Sequence, residues 1–125
     1  MNFREGQPIY MQIAERLMDE ILADQYQADE RVPGVRDYSV LLQVNVNTTV
    51  KAFDVLSQRG IIYNKRGLGS FVSSEAKNII HSARREEFLN QQLPDLARNM
   101  QQLDIPLSCV AERLERLLKE DAQIN

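Results

Sequence analysis

A short polar stretch of the sequence carries side chains that can hydrogen-bond to the edges of nucleic-acid bases. Asn45, Asn47 and Thr48 surround Val46 just before an apolar run with helical period. An asparagine amide can pair with adenine through two hydrogen bonds, and a threonine can hydrogen-bond to a base or touch the methyl group of thymine. Asparagine and threonine are also common helix caps, so this stretch by itself is only weakly specific.

A cationic loop between two short runs of β-forming residues is the second candidate group. It contains Lys65, Arg66, Gly67 and Gly69. The two glycines permit the positive φ angles of a tight hairpin, and the basic side chains could hold phosphates or lie over a minor groove. A basic hairpin is often only a solvated turn, but its position directly after the polar stretch and its helix predicts a wing.

Positive charge is concentrated around these two groups, although the whole chain has a net charge of −3. Six basic and two acidic residues lie between Arg31 and Ser73, which gives this window a formal charge of +4. Such a local cationic face can attract phosphates. Arg36 stands in the first turn of a predicted helix, where it opposes the helix dipole and where a bound phosphate would be favourable. The alternative is a solvated arginine paired with a carboxylate.

Three helices are predicted to position these residues. Pro8 is suited to the first turn of a helix whose apolar stripe is Ile9, Ile13, Leu17 and Ile21. A short second helix is expected over 35–43. The third is expected to be capped by Asn45 or Asn47 and to end at Gly60. The core-facing side chains expected in the third helix are Val50, Leu56 and either Ala52 or Phe53.

Two helices joined by a short turn are typical of a helix-turn-helix, whose second helix reads bases with its N-terminal residues. The side chains expected on the exposed face near the start of the third helix are Val46, Asn47, Thr48, Thr49 and Lys51. With the predicted wing, the fold class is α+β, mostly α.

The composition changes from Ser74 onward to one rich in Ala, Arg, Glu, Gln and Leu. A heptad-like apolar seam is formed by Leu89, Leu93, Leu96, Met100 and Leu103. Pro94 is expected to kink or restart this helix, and a last helix carries Val110, Leu114 and Leu117. Residues 74–125 are few for a self-sufficient core, so we expect this face to pack against a second copy; folding back on the N-terminal part is the alternative.

Motifs for catalysis or metal binding do not occur in the 125 residues. His81 and Cys109 are the single histidine and cysteine, and no zinc, P-loop or serine-hydrolase pattern is found. We therefore expect no enzyme activity, no metal and no cofactor. No secretory signal or membrane-spanning run is evident, and one cysteine permits no internal disulfide, which fits a cytoplasmic protein.

Several segments together resemble the GntR family of bacterial transcription regulators. They are P-I-Y-M-Q-I-A at Pro8–Ala14, R-V-P-G-V-R at Arg31–Arg36, V-N-V-N-T at Val44–Thr48, K-A-F at Lys51–Phe53, L-S-Q-R-G-I-I at Leu56–Ile62 and G-L-G-S-F-V at Gly67–Val72. The resemblance covers residues 8 to 72 in register. The short two-helix tail resembles the YtrA-type subfamily.

The resemblance implies a winged helix-turn-helix domain over residues 1–73 and an all-helical dimerisation region over 74–125. It further implies a cytoplasmic homodimer on a palindromic operator in double-stranded DNA, typically a repressor, and in this subfamily often of an adjacent ABC transporter operon. The family's DNA-contacting arginine falls on Arg36, and its wing glycines fall on Gly67 and Gly69. The residues expected to contact DNA are Arg36, Asn45, Val46, Asn47, Thr48, Lys51, Lys65, Arg66, Gly67 and Gly69.

Some positions depart from the family's usual pattern. Gln43 replaces a common turn glycine, Thr49 stands where valine is usual, and Leu68 occupies a wing tip that is frequently basic. Two alternatives remain from the sequence. One is a winged helix used only for protein contacts, and the other is a switch gated by an unknown small-molecule effector.

Overall fold

Helix α1, Ile9–Leu22, supplies the centre of the N-terminal core in this computed structural model, which describes residues 2–124 and the side chains of residues 2–121. The predicted stripe of α1 is buried at Ile13, Leu17 and Ile21, whereas Ile9 is exposed. Contacts divide the chain into two compact units, Met1–Ala83 and Arg84–Asn125. The first unit contains the site predicted from the sequence.

Two short helices follow in the arrangement expected of a helix-turn-helix. Helix α2 spans Val35–Leu42 and helix α3 spans Val46–Gln58. The turn between them places Gln43 in the left-handed region with φ 57°, the conformation for which glycine is the usual residue. Helix α3 begins after Asn45 as its cap and is followed by Gly60 at φ 76°, as predicted.

The inward face of α3 matches the prediction at Ala52, Phe53 and Leu56 and differs from it at Thr49 and Val50. Thr49 was expected to be exposed but is 0% exposed, and Val50 was expected in the core but is 40% exposed. The buried side chains of α3 are Thr49, Ala52, Phe53 and Leu56. Thr49 can occupy the core because its hydroxyl has a buried partner in Ser39 at 2.8 Å.

A two-stranded antiparallel hairpin follows α3 and forms the wing. Strand β1, Ile62–Lys65, pairs with strand β2, Gly69–Val72. Ile62 lies opposite Val72, and both are buried in the core, so the hairpin has one inner face. Residues 29–32 lie along the other edge of β2 through backbone hydrogen bonds of 2.8 and 2.9 Å and an isolated bridge between Arg31 and Phe71; we call this short segment the edge strand.

The segment after the wing is mainly helical. Helix α4 spans Ala76–Glu87 and continues through a π-helical turn, Phe88–Gln92, into helix α5, Leu93–Gln102. Pro94 lies in the first turn of α5 directly after the π-helical turn, so the irregularity expected at Pro94 takes the form of a π-helical turn rather than a break in the helix. Helix α6 spans Leu107–Ile124. No described helix is long and apolar enough to cross a membrane.

The first turns of α4 belong to the N-terminal core. Ala76 and Ile80 are fully buried among its side chains, and the division between the two compact units lies within α4, after Ala83. The functional boundary predicted between residues 73 and 74 stays a prediction.

Candidate nucleic-acid interface

The start of α3 presents the polar residues singled out from the sequence. The side-chain oxygen of Asn45 accepts a hydrogen bond of 2.8 Å from the backbone N–H of Asn47, so Asn45 is the cap of the helix. Val46 and Asn47 are exposed and Thr48 is half-buried. The amide of Asn47 is therefore open to a ligand, whereas the Asn45 oxygen already has a partner.

Two buried contacts fix α3 against α2. The Ser39 and Thr49 hydroxyls lie 2.8 Å apart, and the rings of Tyr38 and Phe53 pack with centroids 6.0 Å apart. The Tyr38 hydroxyl also donates a hydrogen bond of 2.5 Å to Glu20 of α1. Side chains from three helices thus determine how the start of α3 is presented.

Arg36 stands exposed in the first turn of α2, together with Asp37. Gly34 precedes this helix and can supply no side-chain cap, so the first N–H groups of α2 have no side-chain acceptor at the N-cap. Free N–H groups and a guanidinium at a helix start can both bind a phosphate oxygen.

Lys51 and Lys65 each lie over an aromatic ring. The ammonium of Lys51 is 4.4 Å from the centroid of Tyr10 in α1, and that of Lys65 is 4.6 Å from the centroid of Phe71 in β2. Contacts of this kind restrict an exposed lysine while leaving its charge accessible to solvent. Both lysines are consequently held on the surface of the N-terminal unit.

The wing loop is exposed and is shaped by its glycines. Gly67 and Gly69 have φ angles of 79° and 109°, which other residues rarely adopt. No atom lies within 4 Å of the Cβ position of Gly67, so the backbone there is open to a ligand. Arg66 and Leu68 are exposed beside them.

The basic residues of this region have no described acidic partner. Among residues with described side chains, the ion pairs within 4.0 Å join Arg4 to Glu15, Arg16 to Glu20, Lys77 to Asp24 and Arg98 to Asp95. None of them involves the six cations of the 31–73 window: Arg31, Arg36, Lys51, Arg59, Lys65 and Arg66. The part of the chain that is locally positive therefore keeps its charge available for an external anion.

Comparison with known proteins decides the family. No family model matches the chain. The crystal structure of a GntR-family transcriptional regulator from Bacteroides thetaiotaomicron is 38% identical, with a TM-score of 0.78 over 90% of this chain and 98% of that one. The chain belongs to the GntR family of transcriptional regulators.

Two further relatives refine this assignment. The HTH-type transcriptional repressor YtrA of Bacillus subtilis strain 168 is 28% identical over 117 residues, which are 94% of this chain and 86% of YtrA. The DNA-binding domain of AraR in complex with operator ORR3 is 25% identical, with a TM-score of 0.53 over 58% of this chain and 88% of that one. This GntR-family member is thus a DNA-binding regulator of the YtrA type.

The tail of this YtrA-type regulator exposes most of its predicted dimerisation residues. Leu89, Leu93, Leu96, Leu103, Leu114 and Leu117 are between 38% and 68% exposed, and Met100 and Val110 are half-buried. Helices α5 and α6 enclose an apolar groove of about 760 Å³ between them, lined in part by Leu93, Leu96 and Leu114. No residue of α5 is buried within the chain.

Arg31 is a candidate that sequence reasoning missed. In the sequence it adds to the charge of its window and begins the R-V-P-G-V-R segment, with no DNA contact assigned to it. The structure pairs it with Phe71 of the wing and places its guanidinium against Gly69. The sequence signal was a basic residue shortly before Pro33, and that signal does not show which way the side chain points.

Proposed function

We propose that this protein is a cytoplasmic, homodimeric repressor of transcription that binds a palindromic operator in double-stranded DNA. The observation that carries the proposal is the set of basic residues around α3 and the wing that have no described carboxylate partner. Arg36 stands in the first turn of α2, Lys51 in α3 and Lys65 and Arg66 on the wing, whereas Arg59, at the C-terminal end of α3, is not among the proposed contacts. The combination of basic residues with the exposed polar start of α3 suits DNA, whose phosphates carry the affinity and whose base edges carry the specificity.

The residues proposed to contact the base edges lie in the first turn of α3. Asn47 is exposed and its amide can form the bidentate pair with adenine. Val46 and Thr48 offer apolar and hydrogen-bonding contacts beside it, including contact with a thymine methyl group. Asn45 acts first as the helix cap, and its amide N–H groups are left to meet DNA.

Backbone contacts come from two groups of basic residues. Arg36 and Lys51 stand on α2 and α3, and Lys65 and Arg66 stand on the wing. Gly67 and Gly69 allow the wing backbone to approach the DNA without obstruction by a side chain. Each phosphate contact releases counterions, so affinity should fall steeply with salt.

The helical tail, residues 74–125, is the proposed interface between two copies of the chain. Its exposed leucines would remain in water in a single chain, and covering them with the same face of a partner produces a twofold interface. A dimer would place its recognition helices in successive major grooves roughly 34 Å apart, which requires a palindromic site. Regulation of a transporter operon is proposed on the resemblance to the YtrA type alone, and a small-molecule effector stays an open alternative.

Selection from a randomised duplex library tests the proposal. The enriched sites should be palindromic, with half-sites about one helical turn apart. Gel shifts on random duplex at low salt should also show weaker, salt-dependent binding. If micromolar protein retarded neither selected nor random duplex, the alternative of a winged helix that contacts only proteins would replace this proposal.

A further inference from the structure

The outer face of the wing carries a pair of cations, one of which comes from outside the hairpin. Backbone hydrogen bonds of 2.9 Å from Val32 to Ser70 and from Val72 to Glu30 flank the pairing of Arg31 with Phe71. Directly paired residues place their side chains on the same side of a sheet. The side chain of Arg31 therefore lies on the face of Phe71, opposite the buried Val72.

The guanidinium of Arg31 occupies the space above Gly69. A Cβ atom built on Gly69 would lie 2.7 Å from the Nε atom of Arg31 and 3.3 Å from an Nη atom. Gly69 is directly opposite Lys65 in the hairpin. The ammonium of Lys65 lies over the ring of Phe71, on the same face of the sheet as Arg31. Arg31 and Lys65 thus lie on the same face of the wing, at the level of the Lys65–Gly69 pair next to the loop.

This pair of like charges has no described counter-ion. The same edge strand carries two acidic residues, Asp29 and Glu30. Asp29 accepts a 2.8 Å hydrogen bond from the hydroxyl of Tyr63. Glu30 precedes Arg31 in the strand, so its side chain points to the opposite face. No described carboxylate lies within 4.0 Å of Arg31 or Lys65. Two neighbouring cations repel each other unless an anion lies between them, and a phosphate group can bind an arginine fork and an ammonium together.

We propose that Arg31 and Lys65 together bind a backbone phosphate of the operator, with Arg31 as a DNA contact contributed by the edge strand. The inference rests on the proposed function. It also explains Gly69 in a second way, because the absence of a side chain there leaves room for the guanidinium as well as permitting the positive φ.

Salt dependence of binding tests the role of Arg31. Arg31→Gln should reduce the slope of log affinity against log salt by about one unit, so that the affinity ratio between 50 and 200 mM salt shrinks roughly threefold to fourfold. The loss should be equal on operator and random duplex, because a phosphate contact carries no sequence information. Arg59→Gln is the matched control, since it removes the same charge at the C-terminal end of α3 and should leave the slope unchanged.

Two further variants separate charge from packing. Arg31→Lys should keep the slope, because the charge remains. Gly69→Ala should lower the salt slope of the natural chain if the added methyl group displaces the guanidinium of Arg31. In the Arg31→Gln background, Gly69→Ala should then lower the slope no further. An unchanged slope in Arg31→Gln, or an equal loss in Arg31→Lys and Arg31→Gln, would overturn the inference. Absence of DNA binding by the natural chain would instead overturn the proposed function.

Discussion

The hydroxyl groups of Ser39 and Thr49 lie 2.8 Å apart at the centre of the helix-turn-helix, where neither side chain reaches solvent. Ser39 is also 2.7 Å from the backbone carbonyl of Val35 in its own helix. No buried side-chain polar atom is left without a partner among the residues whose side chains are described. A polar contact in an otherwise apolar core therefore fixes the angle between α2 and the helix proposed to read DNA.

Removal of both hydroxyl groups should cost less than the sum of the two single removals. Ser39→Ala leaves the buried Thr49 hydroxyl without its partner and should lower the free energy of unfolding by about 1–3 kcal/mol. Thr49→Val retains the volume and should cost about 1 kcal/mol. The double variant should be more stable than the sum of the two effects predicts. Urea denaturation with unchanged m-values measures this, and strict additivity would show that the two hydroxyls are not coupled.

Sequence patterns are sufficient to predict the helices, the wing and most of the inward face of α3, but not the burial of Thr49 in place of Val50. Apolar spacing and the expected cap and stop at Asn45 and Gly60 placed the ends of α3 correctly. The position of Thr49 was misjudged because threonine is polar, and polar residues are usually assigned to the surface. Thr49 is buried because Ser39 on the preceding helix satisfies it, and a single helix pattern contains no information about that partner.

The role of Arg31 was hidden for a related reason. Which face of a sheet an edge residue occupies depends on its pairing with a strand far along the chain, here at Phe71. Its approach to Gly69 depends in addition on the rotamer of a long side chain. The basic residues of the wing loop could be assigned without such information, since the turn glycines Gly67 and Gly69 follow them within the same loop of the sequence.

Tyr38→Phe should remove a contact between α1 and α2. Burial raises the pKa of the Tyr38 hydroxyl well above its ordinary value of 10.0, and its hydrogen bond to Glu20 raises the pKa further. Loss of this bond should lower the free energy of unfolding by about 1–2 kcal/mol at neutral pH, measured by denaturant titration. Loss of operator specificity without loss of stability would contradict a structural role for this hydroxyl.

The Tyr38 hydroxyl should also make the free energy of unfolding depend on pH in the alkaline range. Because its folded pKa is raised, the stabilisation is complete below pH 10 and is lost as pH rises toward the folded value. The natural chain should therefore lose stability above pH 10 more steeply than Tyr38→Phe, by at most about 1.4 kcal/mol per pH unit. Tyr63→Phe is the comparison, since its hydroxyl bonds Asp29 at the surface. Parallel alkaline curves for the natural chain and Tyr38→Phe would refute this linkage.

Alanine variants of Asn45 and Asn47 should affect different properties, the stability of the fold for Asn45 and the sequence specificity of DNA binding for Asn47. Asn45→Ala removes the helix cap and should lower the free energy of unfolding by about 1 kcal/mol. Asn47→Ala should leave stability nearly unchanged but weaken operator binding by about 1–3 kcal/mol, with little effect on random duplex. Thermal melts and anisotropy titrations on both duplexes measure the two effects. Equal losses on operator and random DNA in Asn47→Ala would show that it does not read bases.

Charge introduced into the tail groove should separate the two copies. Leu93 and Leu114 both line the apolar groove between α5 and α6, and a glutamate at either position would lose its hydration if that face were covered. We expect Leu93→Glu and Leu114→Glu to be monomeric in light scattering, where the natural chain should show the proposed dimer, and to weaken binding to the proposed palindromic site. Binding to a single half-site should be unchanged, because the residues proposed to contact DNA lie in the N-terminal unit.

Gln102→Glu adds the same charge at an exposed position of α5 outside the groove lining and is the matched control. A natural chain that is monomeric at high concentration, or a Leu93→Glu variant that stays dimeric, would show that this face does not join two copies.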